Sequence, residues 1–395
     1  MIKRKKKNKE HNPFYDPTLK KRHVSAKRFK KFTLTSLIFS VAFLAFFLFD
    51  MIGKGIPAFN IAYVKVDVTF NEKTLEDTRF AVPTEYRNLV SRAALRDLPK
   101  LLEENPTYMN STQNIWILAS SQVDQYIKNH NHNLKDKDIA KVDELYAQGL
   151  IDKKFNAIFF ENGDSKIPEY AGIFSAVIGS ILTLIITMAV AFPIGVMTAI
   201  YLEEFAGDNK FTRFIEININ NLAAIPSILF GLLGLAIFIN LFGMPRSSPL
   251  VGGLTLALMT LPIIIVSSRA ALRAVPDSIR QAGYGLGLNK IQVTRDHVLP
   301  LAFPGIMTGS IIGLAQAMGE TAPLIIIGMI AFIPDAPSMV TQAATVMPAQ
   351  LFTWAGMPEG MYIEKTAAGI LVLLTILISL NAIAIILRKK FEVKW

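Results

Sequence analysis

The chain has 395 residues, 51% of them hydrophobic and 18% charged, with a formal net charge of +10. A mean hydropathy of +0.37 excludes an ordinary soluble globular protein. The absence of cysteine excludes disulfides, iron–sulfur clusters and Cys-based metal sites. Uncharged runs at 32–49, 170–202, 217–245, 247–268, 298–319 and 366–387 each reach the ~18 residues that mark a membrane helix. They lack the alternation of a transmembrane barrel, so six helical spans are expected.

Residues 1–32 carry thirteen Lys/Arg against Glu10 and Asp16. A nucleic-acid arm and a membrane-surface anchor both fit such a run. The anchor is adopted, because the run abuts an apolar segment that it would orient with its start inside. The tail is poor in apolar residues and is expected to be disordered before Phe29. The apolar run is long, begins late and has no small-x-small site, unlike a cleavable signal. The first span, 33–52, is rich in phenylalanine, and 53–168 must then lie outside. That segment holds fifteen Lys/Arg and sixteen Asp/Glu, enough chain for a small mixed α/β extracytoplasmic domain with a marginal core. The alternation at 62–70 predicts a strand. Amphipathic helices are expected at 85–102 and 115–127, and a second strand at 156–160. His130 and His132 read as a solvated turn rather than a metal site.

The second span covers 169–202, interrupted at Pro193, and ends inside at Glu203-Glu204. An amphipathic stretch at 211–221 leads into a third span at 217–245, which contains Pro226-Ser227 and the closely spaced Gly231 and Gly234. The fourth span, 249–268, delivers the chain to a polar stretch at 269–303. There Pro276 can open a short helix, with Ile279, Ala282 or Gly283, and Leu286 sharing a face. Gly287 can close it in the left-handed conformation. Asn289 can cap a second short helix that Pro300 ends. Two short amphipathic helices joined at a glycine would present a ridge to a partner.

Gln281-Ala282-Gly283, then Leu286-Gly287, then Val298-Leu299-Pro300 resembles the cytoplasmic "EAA" signature of ABC importer membrane subunits. The resemblance implies that Pro276, Asp277, Arg280, Gln281, Ala282, Gly283, Leu286, Gly287 and Pro300 couple the chain to an ATPase subunit. Two positions depart from the family pattern: its Glu is Gln281 here, and its second Ala is Gly283. Asp277 or Arg280 would have to supply the missing charged contact.

The fifth span, 304–332, carries Gly319-Glu320-Thr321-Ala322-Pro323. A carboxylate inside an apolar helix costs about 2.5–3.5 kcal/mol on insertion scales. Glu320 is therefore either a gate or pathway residue, or a structural charge paired with an arginine or with backbone freed by Pro323. The outer loop 333–364 has no Lys or Arg, and the sixth span, 366–387, ends at Arg388-Lys389-Lys390. This charge distribution predicts that both termini lie inside. Tyr170, Trp354 and Trp395 fall near the expected interfaces.

The 319–323 motif, with Ile225-Pro226-Ser227-Ile228 and Ile200-Tyr201-Leu202-Glu203-Glu204, resembles the membrane subunits of bacterial high-affinity phosphate ABC importers, the A-type more than the C-type. The resemblance covers 169–388. It implies a five-helix permease core at 169–388, a bacterial inner-membrane location, and a cytoplasmic tail at 389–395. It also implies a second homologous permease, an ATPase dimer that carries ATP and Mg, and an extracytoplasmic phosphate-binding protein. No cofactor on this chain and no nucleic acid is implied. The expected fold is thus an all-α polytopic membrane protein of six transmembrane helices, with the small α/β domain between the first two.

Phosphate suits the bidentate fork of arginine. Arg213, Arg246, Arg269 and Arg273 lie near spans. Arg269, after Ser267-Ser268, is read either as a translocation-path residue or as an inner-interface anchor. Ser268, Glu320, Thr321, Pro226 and Ser227 complete the candidate path. Gly283-Tyr284-Gly285 lacks the preceding Thr-Val of a potassium filter. No GxxxxGK[ST] or HExxH occurs, so neither ATP hydrolysis nor zinc protease chemistry is expected here. Two other functions fit the pattern less well: a permease for another oxyanion or small solute, and a membrane sensor or enzyme with an extracytoplasmic ligand domain. Neither sensor nor enzyme needs the ridge.

Overall fold

The computed structural model describes residues 18–330 and 332–391. Two units divide the chain, the first ending at Gly53 and the second beginning at Lys54. The first unit is dominated by the helix Leu19–Gly55. It takes in residues 19–28, where the sequence suggests disorder. Lysine and arginine are good helix formers, and adding turns to a helix already nucleated costs little. The hydroxyls of Thr33, Thr35 and Ser40 donate to the carbonyls of Lys30, Lys31 and Ser36 at 3.0, 2.9 and 3.0 Å. Residues 1–17 and Trp395 lie outside the described residues.

The second unit begins with a three-stranded antiparallel sheet in the order β2-β1-β3. Strand β1 is Asn60–Phe70, β2 is Ser111–Leu118 and β3 is Ile151–Phe155. Val66 pairs with Ile115, and Val64 with Ile151. Ala62, Val64, Val66, Val68 and Phe70 share one buried face, as the two-residue period of a strand requires. Leu89, Leu95, Val123, Val142 and Leu145 pack in the same core.

Three sequence expectations fail in this segment. Residues 85–102 form no single helix; Arg92–Arg96 and Leu98–Glu104 are separate short turns, and Pro99 sits in the first turn of the second. Ser111–Leu118 is a strand, followed by the helix Ser121–Ile127. Asn156 is an N-cap, not a strand residue, and its side chain accepts from Phe159 N at 3.2 Å.

Among the described residues, five helices are long and apolar enough to cross a membrane, and a sixth span is available only as a bent pair, Lys210–Ala223 with Ser227–Leu241, at 102°. The expected third span is thus an amphipathic helix followed, after a sharp bend, by a short apolar one. Pro226 ends the first helix and caps the second from an extended conformation. The fifth span also breaks. Its helix stops at Gly319, Glu320 is extended, and Ala322–Ile326 starts a new helix with Pro323 in its first turn, where the missing N–H costs nothing. The loop 333–364 is no simple outer loop. It contains the helix Met347–Ala355, and Val346, Met347, Leu351 and Trp354 are buried. Trp354 is therefore a core residue rather than an interfacial anchor, and its Nε1 donates to Asp164 at 2.8 Å.

A buried polar cluster ties the α/β segment to the start of the last helix, Gly360–Phe391. Lys128 pairs with Asp124 at 2.6 Å and Glu364 at 3.1 Å, and Gln125 donates to Glu364 at 2.7 Å. His130 also meets Glu364, so it is no freely solvated turn residue. Lys365 Nζ donates to the carbonyls of Pro168 and Ala171, each at 2.6 Å. Burial pushes the Asp124 carboxyl above its usual range.

Candidate functional site

The helix Pro249–Arg273 delivers Arg269, Arg273 and the following helix Asp277–Gly285 to one polar cluster. Arg269 donates to Glu216 at 2.5 Å and to Glu203 at 3.4 Å. Arg273 donates to Glu203 at 2.8 Å. Arg280 pairs with Glu204 at 2.7 Å. It also donates to the carbonyls of Val275 at 2.7 Å and Leu272 at 3.0 Å. The last carbonyls of a helix have no partner within it, so a guanidinium placed there satisfies them and favours the helix dipole. Arg280 thus pins the Asp277–Gly285 helix to the end of one long helix and to the turn Tyr201–Phe205 that closes another.

The sequence treats Asp277 or Arg280 as a replacement for the charge that Gln281 lacks. Arg280 is engaged internally, with its side chain only 16% exposed, whereas Asp277 is 86% exposed and 3.3 Å from Arg280. Gln281 and Ala282 are exposed. Gly283 is buried, and a Cβ there would fall 2.8 Å from Val293 Cγ2. This close packing accounts for glycine where the family pattern has alanine. Pro276 is the N-cap, and Gly287 has φ +80°, the left-handed conformation anticipated for the helix end.

Leu286 does not share the buried face with Ile279. It is 78% exposed, next to exposed Tyr284 and Ile291. Asn289 forms a capping box with Gln292. The helix it opens does not end at Pro300 but continues to Gly319. A wide turn at Thr294–Val298 precedes the proline, which stands in the first turn of Leu299–Gly319, so the missing N–H is absorbed by local rewinding. The site is consequently one short helix and a left-handed turn set on the foot of a long helix, with an apolar tip.

The other candidate residues do not gather here, apart from Arg269 and its neighbour Ser268. Ser268 is fully buried, and its hydroxyl has no partner among the described residues. Pro226 and Ser227 stand at one chain break, Glu320 and Thr321 at the other. The helices that follow these breaks touch: a Cβ on Gly231 would lie 2.7 Å from Pro323 Cα. Glu320 is half-buried and, among the described residues, has no arginine partner. Arg213 is exposed and 3.4 Å from Asp208. Glu203, Glu204 and Glu216, the carboxylates that hold the arginines, were not anticipated as site residues. The adjacent pair Glu203-Glu204 at the end of an apolar run was the available signal.

Residues 191–393 match the family described as the binding-protein-dependent transport system inner membrane component. The chain belongs to this family. A second family, a domain of unknown function, matches residues 16–86 and 81–136 of this inner membrane component. Among curated relatives, the phosphate transport system permease protein PstA of Mycobacterium leprae is 36% identical over 160 residues, 40% of this chain and 52% of its own. PstA of Yersinia pestis is 30% identical over 244 residues, 61% of this chain and 80% of its own. The probable ABC transporter permease protein YqgI of Bacillus subtilis is 33% identical over 168 residues, 42% of this chain and 56% of its own. The inner membrane component spans about half the length of the mycobacterial relatives it matches. Among solved structures, a chain of the inward-facing MetNI methionine ABC transporter aligns at TM-score 0.45 and 16% identity, over 56% of this chain and 98% of that one.

Proposed function

We propose that this chain is the permease subunit of an ATP-driven phosphate importer. Family membership supports a transport role, and similarity to the phosphate permeases PstA supports phosphate. The observation that carries the coupling role is the tip formed by Tyr284, Leu286 and Ile291. It is apolar and exposed, at and just beyond the end of the helix that Arg280 fixes from behind. Exposed apolar tips rimmed by polar residues fit a partner surface. In this reading the partner is an ATPase dimer that carries ATP and Mg, and this chain binds no cofactor and hydrolyses nothing.

A second, homologous permease completes the translocation path, and a phosphate-binding protein delivers the anion. The α/β segment faces outward, and both termini face the cytoplasm of a bacterial inner membrane. Arg269, Ser268, Glu320, Thr321, Pro226 and Ser227 border the path. In the described conformation Arg269 is neutralised by Glu203 and Glu216, so it acts on phosphate only after that pairing opens.

The test is reconstitution with the ATPase, partner permease and binding protein, with radiolabelled phosphate uptake measured against sulfate and molybdate. ATP-dependent uptake resisted by neither competitor is expected. Uptake of another anion would discard the substrate, and a chain that never associates with an ATPase would discard the function.

A further inference from the structure

The α/β segment contains a cavity of about 610 Å³ beside residues 166–169, just before the helix Phe174–Ile200. Arg87, Arg92, Arg96, Lys135 and Lys166 line it, against Asp138, Glu169 and Glu359. Glu169 is turned to the backbone N–H of Ser121 at 2.5 Å, and burial pushes its carboxyl above the usual range. The five cations therefore outweigh the three carboxylates. Arg92 and Arg96 make no ion pair among the described residues, which leaves their guanidinium forks available to a ligand.

Two unsatisfied groups narrow the ligand class. Ser91 lines the cavity, is 1% exposed, and its hydroxyl has no hydrogen-bond partner among the described residues. Glu359 also lines it, and its Oε2 is buried and equally without a partner. Buried polar atoms in folded proteins are almost always paired, so unpaired ones point to a missing partner. The hydroxyl and the guanidinium groups call for acceptor oxygens. The carboxylate oxygen calls for a donor. An oxyanion that still carries a proton offers both, whereas sulfate at neutral pH offers acceptors alone.

We propose that this cavity binds a protonated tetrahedral oxyanion, with hydrogen phosphate as its simplest form, on Ser91, Arg92 and Arg96 with Glu359 as the accepting carboxylate. The same chemistry occurs in free inorganic phosphate and in a phosphomonoester lipid headgroup. The proposal concerns equilibrium binding by this chain and holds whether or not the chain transports phosphate.

The experiment uses the full chain in phosphatidylcholine nanodiscs and radiolabelled inorganic phosphate in equilibrium dialysis. Saturable binding is expected, weakened at least tenfold in the double variant Arg92→Ala/Arg96→Ala and several-fold in Ser91→Ala. Sulfate should compete poorly with the parent chain, and Glu359→Gln should narrow the gap between the two anions. Nanodiscs containing phosphatidic acid distinguish the sources. Abolition of phosphate binding to the parent chain by that lipid, relieved by raising the phosphate concentration, assigns the site to the headgroup. Absence of saturable binding to either source overturns the proposal. So does binding unchanged in the exposed-residue variant Arg92→Ala/Arg96→Ala, whose elution profile reports folding independently. Sulfate binding as tight as phosphate overturns the role of Glu359 and with it the protonated class.

Discussion

Replacing Arg280 by alanine should free the Asp277–Gly285 helix from its support. Arg280 holds Glu204 at 2.7 Å, and their side chains are 16% and 5% exposed. Removing one partner of a buried pair costs about 3–5 kcal/mol, because the other charge is left uncompensated. Two carbonyls, of Val275 and Leu272, lose a donor as well. Water reaches part of this site, so the lower figure is the better guide. At about 1.4 kcal/mol per tenfold, a loss near 3 kcal/mol raises local opening roughly 100-fold.

The chain has no cysteine, so one reporter thiol gives an unambiguous signal. Val293 is 1% exposed and packs against Gly283. In a Val293→Cys background, maleimide labelling should accelerate about 100-fold in Arg280→Ala under conditions where closing outpaces labelling. The double variant Arg280→Ala/Glu204→Gln should label more slowly than Arg280→Ala alone, since it strands no charge. Labelling within about twofold of the parent in Arg280→Ala would refute the clamp.

Gly287→Val should lower ATP-coupled uptake by roughly five- to thirtyfold while leaving membrane insertion intact. No atom crowds that position, so the penalty is the left-handed backbone at φ +80° alone, about 1–2 kcal/mol for a residue with a Cβ. Gly287→Asn should retain more uptake than the valine variant, because asparagine tolerates that conformation. A third expectation concerns pH. Burial raises the Asp164 carboxyl from 3.8 to about 6. Below 3.8 it is neutral in both folded and unfolded chains. Between about 4 and 6 the unfolded chain ionises first, so this group's contribution to stability declines by about 3 kcal/mol at most and then levels off. Asp164→Asn should flatten that decline in thermal melts at pH 4.5 and 7; a parent-minus-variant difference that grows in the opposite direction would remove the explanation.

Local chemistry in the coupling stretch was legible in the sequence. Gly287 and Asn289 take the turn and cap roles that their side chains dictate. The breaks in the third and fifth spans were not, because summed hydropathy is blind to where a helix bends. Pro226 and Pro323 marked those places, and Pro193 shows why they did not decide: that proline lies inside an unbroken helix. Strand β2 was misread because Ile115 and Leu118, then Val123 and Ile127, combine into helix-like spacing across a boundary. The partners of Arg269 are 66 and 53 residues away, a distance at which periodicity carries no information. Lys365 adjoins the uncharged run 366–387 in sequence, and only the fold reveals the carbonyls it serves.

The account rests on the tip at Leu286 meeting an ATPase. A single Leu286→Cys on the assembled transporter, scanned against single cysteines on the ATPase with a short bifunctional crosslinker, tests this most directly. The expected result is a specific crosslink whose yield changes when ATP is added, while a control cysteine at exposed Phe352, in the helix Met347–Ala355, gives none. An assembled, ATP-hydrolysing complex in which Leu286→Cys never crosslinks to the ATPase would contradict it.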